Sequence, residues 1–204
     1  KALGVPAAAV GSLAGWLLPA TSTYQPGTNP VDILAPMVSK TIAVLDARKV
    51  AEADRETVLI KSSMVEKESK LDGDRGKVAR VIENRLAKSM TLGMDSTLAY
   101  GLNKSGLELG DPDFASDNPY NTRKKVGLPP GPIASPGTVS IDGVLNPTPG
   151  PWLFFVTVNL DTGETRFATT LAEHDQYVLL YQQWLANRTA TPSTTASPST
   201  TATP

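Results

Sequence analysis

The sequence predicts an α+β fold in which a helical segment is followed by long Pro/Gly-rich loops, a β-hairpin and a disordered tail. Apolar residues recur at helical spacing between residues 30 and 86. Two short runs of β-prone residues flank a glycine-containing turn at residues 161–163. Residues 189–204 contain only Thr, Ser, Ala and Pro, a composition that buries too little apolar surface to offset the entropy of folding. We therefore expect one folded domain over residues 1–187 and a tail over residues 188–204.

Composition narrows the possible functions. The chain has 204 residues, of which 40% are hydrophobic, so it is long enough for one domain with a substantial core. Its formal net charge is −1, and charges of the two signs are interspersed, which gives no reason to expect a nucleic-acid partner. There is no cysteine, and His174 is the only histidine. Disulfides, thiol catalysis and multi-histidine metal sites are therefore excluded, and we expect no metal and no cofactor.

The N-terminal segment from Val5 to Ala20 is apolar but is interrupted by prolines and glycines. It is shorter than the roughly 20 apolar residues with which a helix spans a bilayer. It also lacks the charged leader of a signal peptide. We therefore expect no membrane-spanning helix in this chain.

Three helices are predicted in the first half of the chain. Asn29 followed by Pro30 is typical of a helix N-cap with proline at the first helical position. A second helix is expected from about Asp54 to Ser69, and a third after a turn at residues 72–74. The apolar face of the third helix is formed by Val78, Val81, Ile82 and Leu86.

The second half of the chain combines loops, strands and one helix. Residues 90–151 are rich in Gly, Pro, Asn and Asp, which predicts a long loop region of the kind that is functional or disordered in a compact domain. The run from Trp152 to Val158 predicts a buried strand, and a second strand is expected at residues 165–169. A capping-box sequence at residues 170–173 begins a final helix that we expect to end near Ala186.

Two glutamates in the second predicted helix point in nearly opposite directions. Each residue turns a helix by about 100°, so Glu66 and Glu68 cannot share a face. The apolar residues around them have a mean direction close to that of Glu68; they are Val58, Ile60, Met64, Val65 and Leu71. We therefore expect Glu68 to face the rest of the protein and Glu66 to meet water.

An inward-facing Glu68 has a chemical consequence. Apolar surroundings disfavour the charged form of a carboxyl group and raise its pKa. A carboxyl group with a raised pKa keeps its proton at neutral pH and serves as a general acid. Periodicity alone leaves two interpretations open, because a partly buried glutamate that supports the fold through a salt bridge shows the same pattern.

Motifs along most of the chain favour the catalytic interpretation. The segment Val65-Glu-Lys-Glu-Ser69 resembles the active-site helix of the endolytic murein lytic transglycosylases of the YceG-like (MltG) family, whose second glutamate is catalytic. Other stretches resemble that family in the same order, over roughly residues 15–186. They are residues 81–86 (VIENRL), 94–101 (MDSTLAYG), 118–122 (NPYNT), 127–133 (GLPPGPI), 135–137 (SPG) and 167–174 (FATTLAEH). The resemblance assigns residues 1–187 to the catalytic domain of that family.

The resemblance implies an enzyme that cuts the glycan strands of peptidoglycan in their interior. Glu68 would protonate the glycosidic oxygen between N-acetylmuramic acid (MurNAc) and N-acetylglucosamine (GlcNAc), and then take the proton of the 6-hydroxyl of the same MurNAc. That hydroxyl attacks C1 and closes a 1,6-anhydro ring without water. The family implies a location on the outer face of the bacterial cell membrane, with peptidoglycan synthases as candidate partners. A membrane anchor is expected in the full-length protein and is absent from this chain.

The resemblance also implies the residues that surround the acid. The predicted substrate-binding residues are Ser69, Asp95, Thr97, Tyr100, Tyr120, Asn121 and Thr122. Each has a structural alternative: capping of a helix end for the first three, core packing for the two tyrosines, and an Asx-type turn for the Asn-Thr pair.

Two other functions stay open from the sequence. A lysozyme-like hydrolase needs two carboxylates about 5–10 Å apart, and Asp95 is the candidate partner of Glu68. A non-catalytic module would bind peptidoglycan without cutting it.

Overall fold

The computed structural model describes residues 3–9 and 12–190, and these residues form an α+β fold, as the sequence predicts. Within them the helices are α1 (Pro30–Ala47), α2 (Arg55–Glu68), α3 (Asp72–Ala87), α4 (Asp95–Leu102), α5 (Asp111–Phe114), α6 (Thr138–Leu145) and α7 (Leu171–Ala190). The strands are β1 (Phe154–Asn159) and β2 (Glu164–Ala168). Short 3₁₀ helices occupy Ala7–Ala9, Glu52–Asp54 and Gly106–Glu108.

The three helices predicted in the first half are confirmed. The side chain of Asn29 accepts a hydrogen bond of 2.9 Å from the Val31 N–H and so caps α1, with Pro30 as its first residue. Helix α3 begins at Asp72, so the predicted turn at residues 72–74 is instead the first turn of this helix. Acidic residues are favourable there because the N-terminal end of a helix carries partial positive charge.

The core lies where α2, α3 and α6 pack against one another. Its fully buried side chains from these helices are Leu59, Met64, Val65, Val78, Val81, Ile82 and Ile141. Helix α6 approaches α3 closely through Gly143, since a Cβ added there would lie 3.1 Å from the carbonyl carbon of Arg75. Both helices also contact α2, whose last residue is Glu68.

The region predicted as one long loop, residues 90–151, is more ordered than expected, because it contains α4, α5 and α6. Each of these helices has eight residues or fewer. Glycine and proline flank them, so their composition resembles that of loops and hides the helical periodicity.

The predicted β-hairpin is confirmed. Strands β1 and β2 are antiparallel, with Phe154 opposite Ala168 and Thr157 opposite Thr165. Strand β1 is half-buried rather than buried as predicted, because the sheet has only two strands and therefore two open edges. Helix α7 packs against both strands, and α3 contacts β1.

Helix α7 begins with the predicted capping box. The carboxylate of Glu173 accepts hydrogen bonds from the N–H groups of Thr169 and Thr170, and the Thr170 hydroxyl accepts one from the Glu173 N–H. The helix continues to Ala190, beyond its expected end near Ala186. Arg188 forms an ion pair of 2.5 Å with Asp161 at the hairpin turn. The rest of the predicted tail, residues 191–204, lies outside the described residues.

The N-terminal segment is held against the core by Trp16. This side chain is fully buried, and its Nε1–H donates a hydrogen bond of 2.9 Å to Glu56 on α2. Gly15 has a φ of +81°, and a Cβ there would lie 2.6 Å from Pro132, so only glycine fits. None of the described helices is both long and apolar enough to cross a membrane.

Candidate active site

Glu68 is the last residue of α2 and lies where two clefts meet. The larger cleft has a volume of about 860 Å³ and the smaller one about 200 Å³. Glu68 and Asp95 line both of them. The backbone turns extended at Ser69, with φ −118° and ψ 120°, so α2 ends at the acid. The carboxyl group is therefore reached from two sides.

The surroundings of Glu68 favour its protonated form. Burial is the largest influence on its pKa and raises it, and the negative charge of Asp95 raises it further. Hydrogen bonds from Ser96 act in the opposite direction but do not outweigh burial. The prediction that Glu68 faces the protein, with a raised pKa, is therefore confirmed.

Ser96 is a site residue that sequence reasoning missed. Its hydroxyl donates a hydrogen bond of 2.5 Å to Oε1 of Glu68, and its backbone N–H donates to the same carboxyl group. Ser96 is the second residue of α4, where backbone N–H groups have no partner inside the helix. The sequence shows a serine at a helix start but gives no sign that it meets a residue 28 positions earlier.

Asp95 is the first residue of α4, but its side chain does not cap the helix. Its carboxylate forms two hydrogen bonds with the guanidinium of Arg123, at 2.5 and 3.1 Å. The side chain is 44% exposed, so the ion pair is accessible from the clefts. Asp95 is thus a second carboxylate at the site, paired with the guanidinium of Arg123.

Tyr100 and Tyr120 face each other in the larger cleft. Their ring centroids are 5.1 Å apart and the ring planes are tilted by 58°. Tyr100 is 42% exposed and Tyr120 is half-buried. Burial raises the pKa of the Tyr120 hydroxyl. An exposed aromatic face beside an acid suits a ligand with both polar and apolar surfaces, such as a sugar ring.

Thr97 and Thr122 are buried, and neither lines the two clefts. Their hydroxyl oxygens are 2.8 Å apart, and both bond to the backbone of Met94. They join the start of α4 to the loop at residues 118–125. They lie behind Asp95 and Ser96 and hold the start of α4 against this loop.

Asn121 is also buried, and its side-chain amide is occupied by the protein. Its Nδ2 donates to the carbonyls of Phe114 and Ser116, and its Oδ1 accepts from the N–H of Arg123. This is the turn-forming arrangement that was the alternative to sugar contact. The loop so formed places Arg123 against Asp95.

Ser69 ends α2. Its backbone N–H bonds to Val65 O at 3.0 Å, and its hydroxyl donates to Leu71 O at 2.8 Å. The residue is buried and lines neither cleft. Of the predicted substrate-binding residues, the structure brings Asp95, Tyr100 and Tyr120 to the clefts beside Glu68 and leaves Ser69, Thr97, Asn121 and Thr122 behind them.

The prediction that Glu66 meets water is wrong. Its Oε2 accepts hydrogen bonds from Arg75 at 2.7 Å, from Ser140 at 2.7 Å and from the N–H of Gly137 at 2.9 Å. Burial works to raise the pKa of Glu66, but these donors outweigh it and lower the pKa. The partners lie on α3 and at the start of α6, which the periodicity of α2 alone does not reveal.

Cationic and further aromatic residues also line the two clefts. The larger cleft is lined by Lys67 and Lys104 in addition to the tyrosines. The smaller cleft is lined by Arg85, Phe155 and His174. Among the described residues, no group of three or more acidic or histidine side chains is placed to hold a metal ion.

The fold and the site together define an α+β protein in which a carboxyl group with a raised pKa lies between two clefts. The sequence model of the YceG-like family matches residues 4–179. The chain belongs to the YceG-like family.

Individual relatives agree with this assignment. The chain is 36% identical over 170 residues to an endolytic murein transglycosylase of Bacillus subtilis (strain 168), covering 80% of this chain and 46% of the relative. An endolytic murein transglycosylase of Streptococcus pneumoniae serotype 2 (strain D39) is 30% identical over 179 residues, covering 81% of this chain and 32% of the relative. A crystal structure of a yceG-like protein from Listeria monocytogenes superposes with a TM-score of 0.68 at 35% sequence identity. The match covers 80% of this chain and 55% of that protein. The chain thus spans about half, or less, of these proteins.

Proposed function

We propose that this chain is the catalytic part of an endolytic lytic transglycosylase that cleaves peptidoglycan between MurNAc and GlcNAc. The observation that carries the proposal is Glu68, half-buried and with a raised pKa, at the junction of two clefts. Membership of the YceG-like family supports it, as do the names of the relatives. The larger cleft, with a volume of about 860 Å³, has room for sugar rings beside the acid.

The proposed reaction uses Glu68 twice. As an acid, its carboxyl group gives its proton to the glycosidic oxygen, and the bond between that oxygen and C1 of MurNAc breaks. As a base, the resulting carboxylate takes the proton of the 6-hydroxyl of the same MurNAc, whose oxygen forms a new bond to C1. The products are a GlcNAc end with a free 4-hydroxyl and a 1,6-anhydro-MurNAc end. No water enters, and Glu68 is protonated again.

The contacts of Glu68 fit both steps. Burial raises the pKa of the carboxyl group and so favours the protonated form, which a general acid requires. The hydrogen bond from Ser96 stabilises the carboxylate that exists between the two proton transfers. A cycle with one acid and base needs no second catalytic carboxylate.

Hydrolysis is the second candidate, because Asp95 lines both clefts with Glu68. A hydrolase of the lysozyme type uses a second carboxylate as nucleophile or base. In the transglycosylase mechanism Asp95 instead acts on Glu68 through its charge, which raises the pKa of the acid. The two candidates therefore assign different consequences to the loss of Asp95.

The test compares the rate at which purified peptidoglycan strands are cut by wild type, Glu68→Gln and Asp95→Asn. We expect Glu68→Gln to lose roughly 10²- to 10⁴-fold in rate, the contribution of a general acid and base. Asp95→Asn is expected to retain much more activity and to move the alkaline limb of the pH profile to lower pH. Equal losses in both variants favour the hydrolase. Binding of strands without cutting by the wild type favours a non-catalytic module.

We also propose that the reaction takes place on the outer face of the bacterial cell membrane, because the proposed substrate lies outside that membrane. On this proposal the full-length protein carries a membrane anchor, and peptidoglycan synthases are its candidate partners. Fractionation of cells that produce the full-length protein tests the location: the protein is expected with the membranes and accessible to protease from outside. Recovery in the cytoplasm contradicts it.

A further inference from the structure

Arg85 is a cation in the smaller cleft that has no acidic partner among the residues that the structure describes. It projects from α3 and lines the cleft together with Glu68 and His174. The arginines that do form ion pairs with Asp or Glu are Arg48, Arg55, Arg75, Arg123, Arg166 and Arg188. The other exception is Arg80, which bonds only to the carbonyls of Pro147 and Thr148 and lines neither cleft.

Three carbonyl groups fix the guanidinium of Arg85. Its Nε donates to Leu153 O at 2.6 Å, and its Nη1 donates to Thr91 O at 3.2 Å and to Leu92 O at 2.7 Å. The guanidinium also stacks on the ring of Phe154, 5.0 Å from its centroid. Its Nη2 has no hydrogen-bond partner among the described residues, so this end of the planar guanidinium can donate hydrogen bonds to a ligand.

The charge of Arg85 is not neutralised by the groups that share the cleft. Burial lowers the pKa of Arg85, although an arginine side chain stays protonated in proteins. Glu68 has a raised pKa, which favours its neutral form, and Asp95 is bound by Arg123. His174 contacts the ring of Phe154 and lies 3.4 Å from Asp175. A partly buried cation without a counter-ion is unfavourable, and an anionic ligand removes that cost.

We propose that Arg85 is the site that binds a carboxylate of the substrate and thereby selects muramyl residues that carry one. This inference rests on the proposed function, because it takes peptidoglycan as the ligand. The smaller cleft, at about 200 Å³, is below the volume of typical ligand pockets, and it suits one acidic substituent rather than a sugar ring. Two sources offer that group: the lactyl carboxylate of a peptide-free MurNAc, and the carboxylates of a peptide stem.

The experiment compares two pairs of glycan strands as substrates for the wild-type chain. The first pair is peptide-free strands with free lactyl carboxylates and the same strands after conversion of those groups to methylamides. The second pair is stem-bearing strands with free and with amidated stem carboxylates. We expect kcat/KM to fall about tenfold or more on neutralisation within one pair, as for the loss of a charge-assisted hydrogen bond. The pair that responds identifies the source, and no response in either pair overturns the proposal.

Variants then assign the effect to Arg85. Arg85→Gln and Arg85→Lys are compared with Arg80→Gln, which loses a similar set of carbonyl contacts on the same helix. We expect Arg85→Gln to abolish the preference for the charged strand and Arg80→Gln to preserve it. If Arg85→Gln does not fold, Arg85→Lys is expected to keep a reduced preference for the charged strand. Lysine keeps the positive charge but lacks the planar guanidinium that binds a carboxylate through two N–H groups. If Arg85→Gln slows the cleavage of both strands of a pair equally and keeps the preference for the charged strand, the carboxylate site is contradicted.

Binding to a Glu68→Gln background separates this inference from the proposed reaction. Calorimetry with short charged and neutralised muramyl oligosaccharides measures affinity without cleavage. A preference for the charged ligand that Arg85→Gln removes supports the carboxylate site even if the chain cuts nothing. Equal affinities for the two ligands contradict it even if the chain proves to be a transglycosylase.

Discussion

Glu66 and Glu68 lie two positions apart on α2, yet the protein shifts their pKa values in opposite directions. Donors from Arg75, Ser140 and Gly137 surround the carboxylate of Glu66 and lower its pKa. Burial and the charge of Asp95 raise the pKa of Glu68. Glu66 therefore stabilises the fold as an anion, whereas the raised pKa of Glu68 means that its charged form costs stability. Substitution of Glu66 and substitution of Glu68 should therefore have opposite effects on the stability of the fold.

Glu68→Gln is expected to be more stable than the wild type at neutral pH. Below the ordinary glutamate pKa of 4.5, Glu68 is protonated in both the folded and the unfolded chain. As the pH rises above that value, the unfolded chain releases its proton first, so the wild type loses stability until the raised folded pKa is passed. Glutamine has no proton to release. Urea unfolding between pH 4 and 8 should show the advantage of the variant growing with pH; a constant difference argues against a raised pKa.

Glu66→Gln is expected to be less stable by about 1–3 kcal/mol at pH 7, since an ion pair and charge-assisted hydrogen bonds are lost. Because the folded pKa is lowered, this stabilisation is present above the ordinary pKa and is lost as the pH falls through the folded value. The defect should therefore shrink in acid. Below its melting temperature the variant should cut glycan at a near wild-type rate. A rate loss similar to that of Glu68→Gln contradicts the assignment of the two roles.

Ser96→Ala is expected to change the pH dependence of cleavage. The lost hydrogen bond favours the carboxylate form of Glu68, so its removal raises the pKa of Glu68 further. The alkaline limb of kcat/KM should move to higher pH, and kcat should fall by about tenfold because the carboxylate intermediate loses a donor. Ser96→Thr keeps the hydroxyl and serves as the control. An unchanged pH profile in Ser96→Ala shows that the contact does not tune the acid.

At the scale of the elements, α6 packs closely on α3, and both helices contact α2, which carries Glu68. Gly143 allows this approach, because a Cβ there would lie 3.1–3.3 Å from three atoms of Arg75 and Gly76, two of them backbone. Backbone atoms cannot rotate away as a side-chain end can, so the helices must separate to accept a larger residue. Arg75 lies in this contact and also binds Glu66.

Gly143→Ala is expected to destabilise the fold by about 1–3 kcal/mol through overpacking, even though alanine favours helix. Gly73→Ala, in the first turn of α3, is the matched control. A Cβ at Gly73 meets no atom within 4 Å, so its effect should stay within about 1 kcal/mol. Denaturant unfolding compares the two variants. Equal stability of both shows that α6 does not pack as closely as described.

The elements that the sequence predicted well are those whose signals are local. The Asn29-Pro30 cap, the capping box of α7 and the hairpin turn each depend on residues within four positions. Helix α6 was missed, because its eight residues give barely two turns of periodicity between glycine and proline. Its stability comes from contacts with α2 and α3, which no local pattern contains.

At the scale of the whole molecule, the site is assembled from distant parts of the chain. Helix α2 supplies the acid, α4 supplies Asp95 and Ser96, and the loop at residues 118–133 supplies Tyr120 and Ile133. Periodicity predicted the direction of Glu68, since that depends on one helix. It could not predict that Ser96 bonds to Glu68 or that Asn121 and Thr122 turn inward, because these facts depend on how separate segments meet.

The chemistry of the new glycan ends tests the central claim most directly. Peptidoglycan strands are digested by the wild-type chain in water enriched in ¹⁸O, and the new MurNAc ends are analysed by mass spectrometry. The transglycosylase mechanism predicts 1,6-anhydro ends that are lighter than hydrolytic ends by one water, carry no ¹⁸O and are lost with Glu68→Gln. Reducing MurNAc ends that contain ¹⁸O would contradict the proposed mechanism, because they require water at C1, and would assign the reaction to a hydrolase.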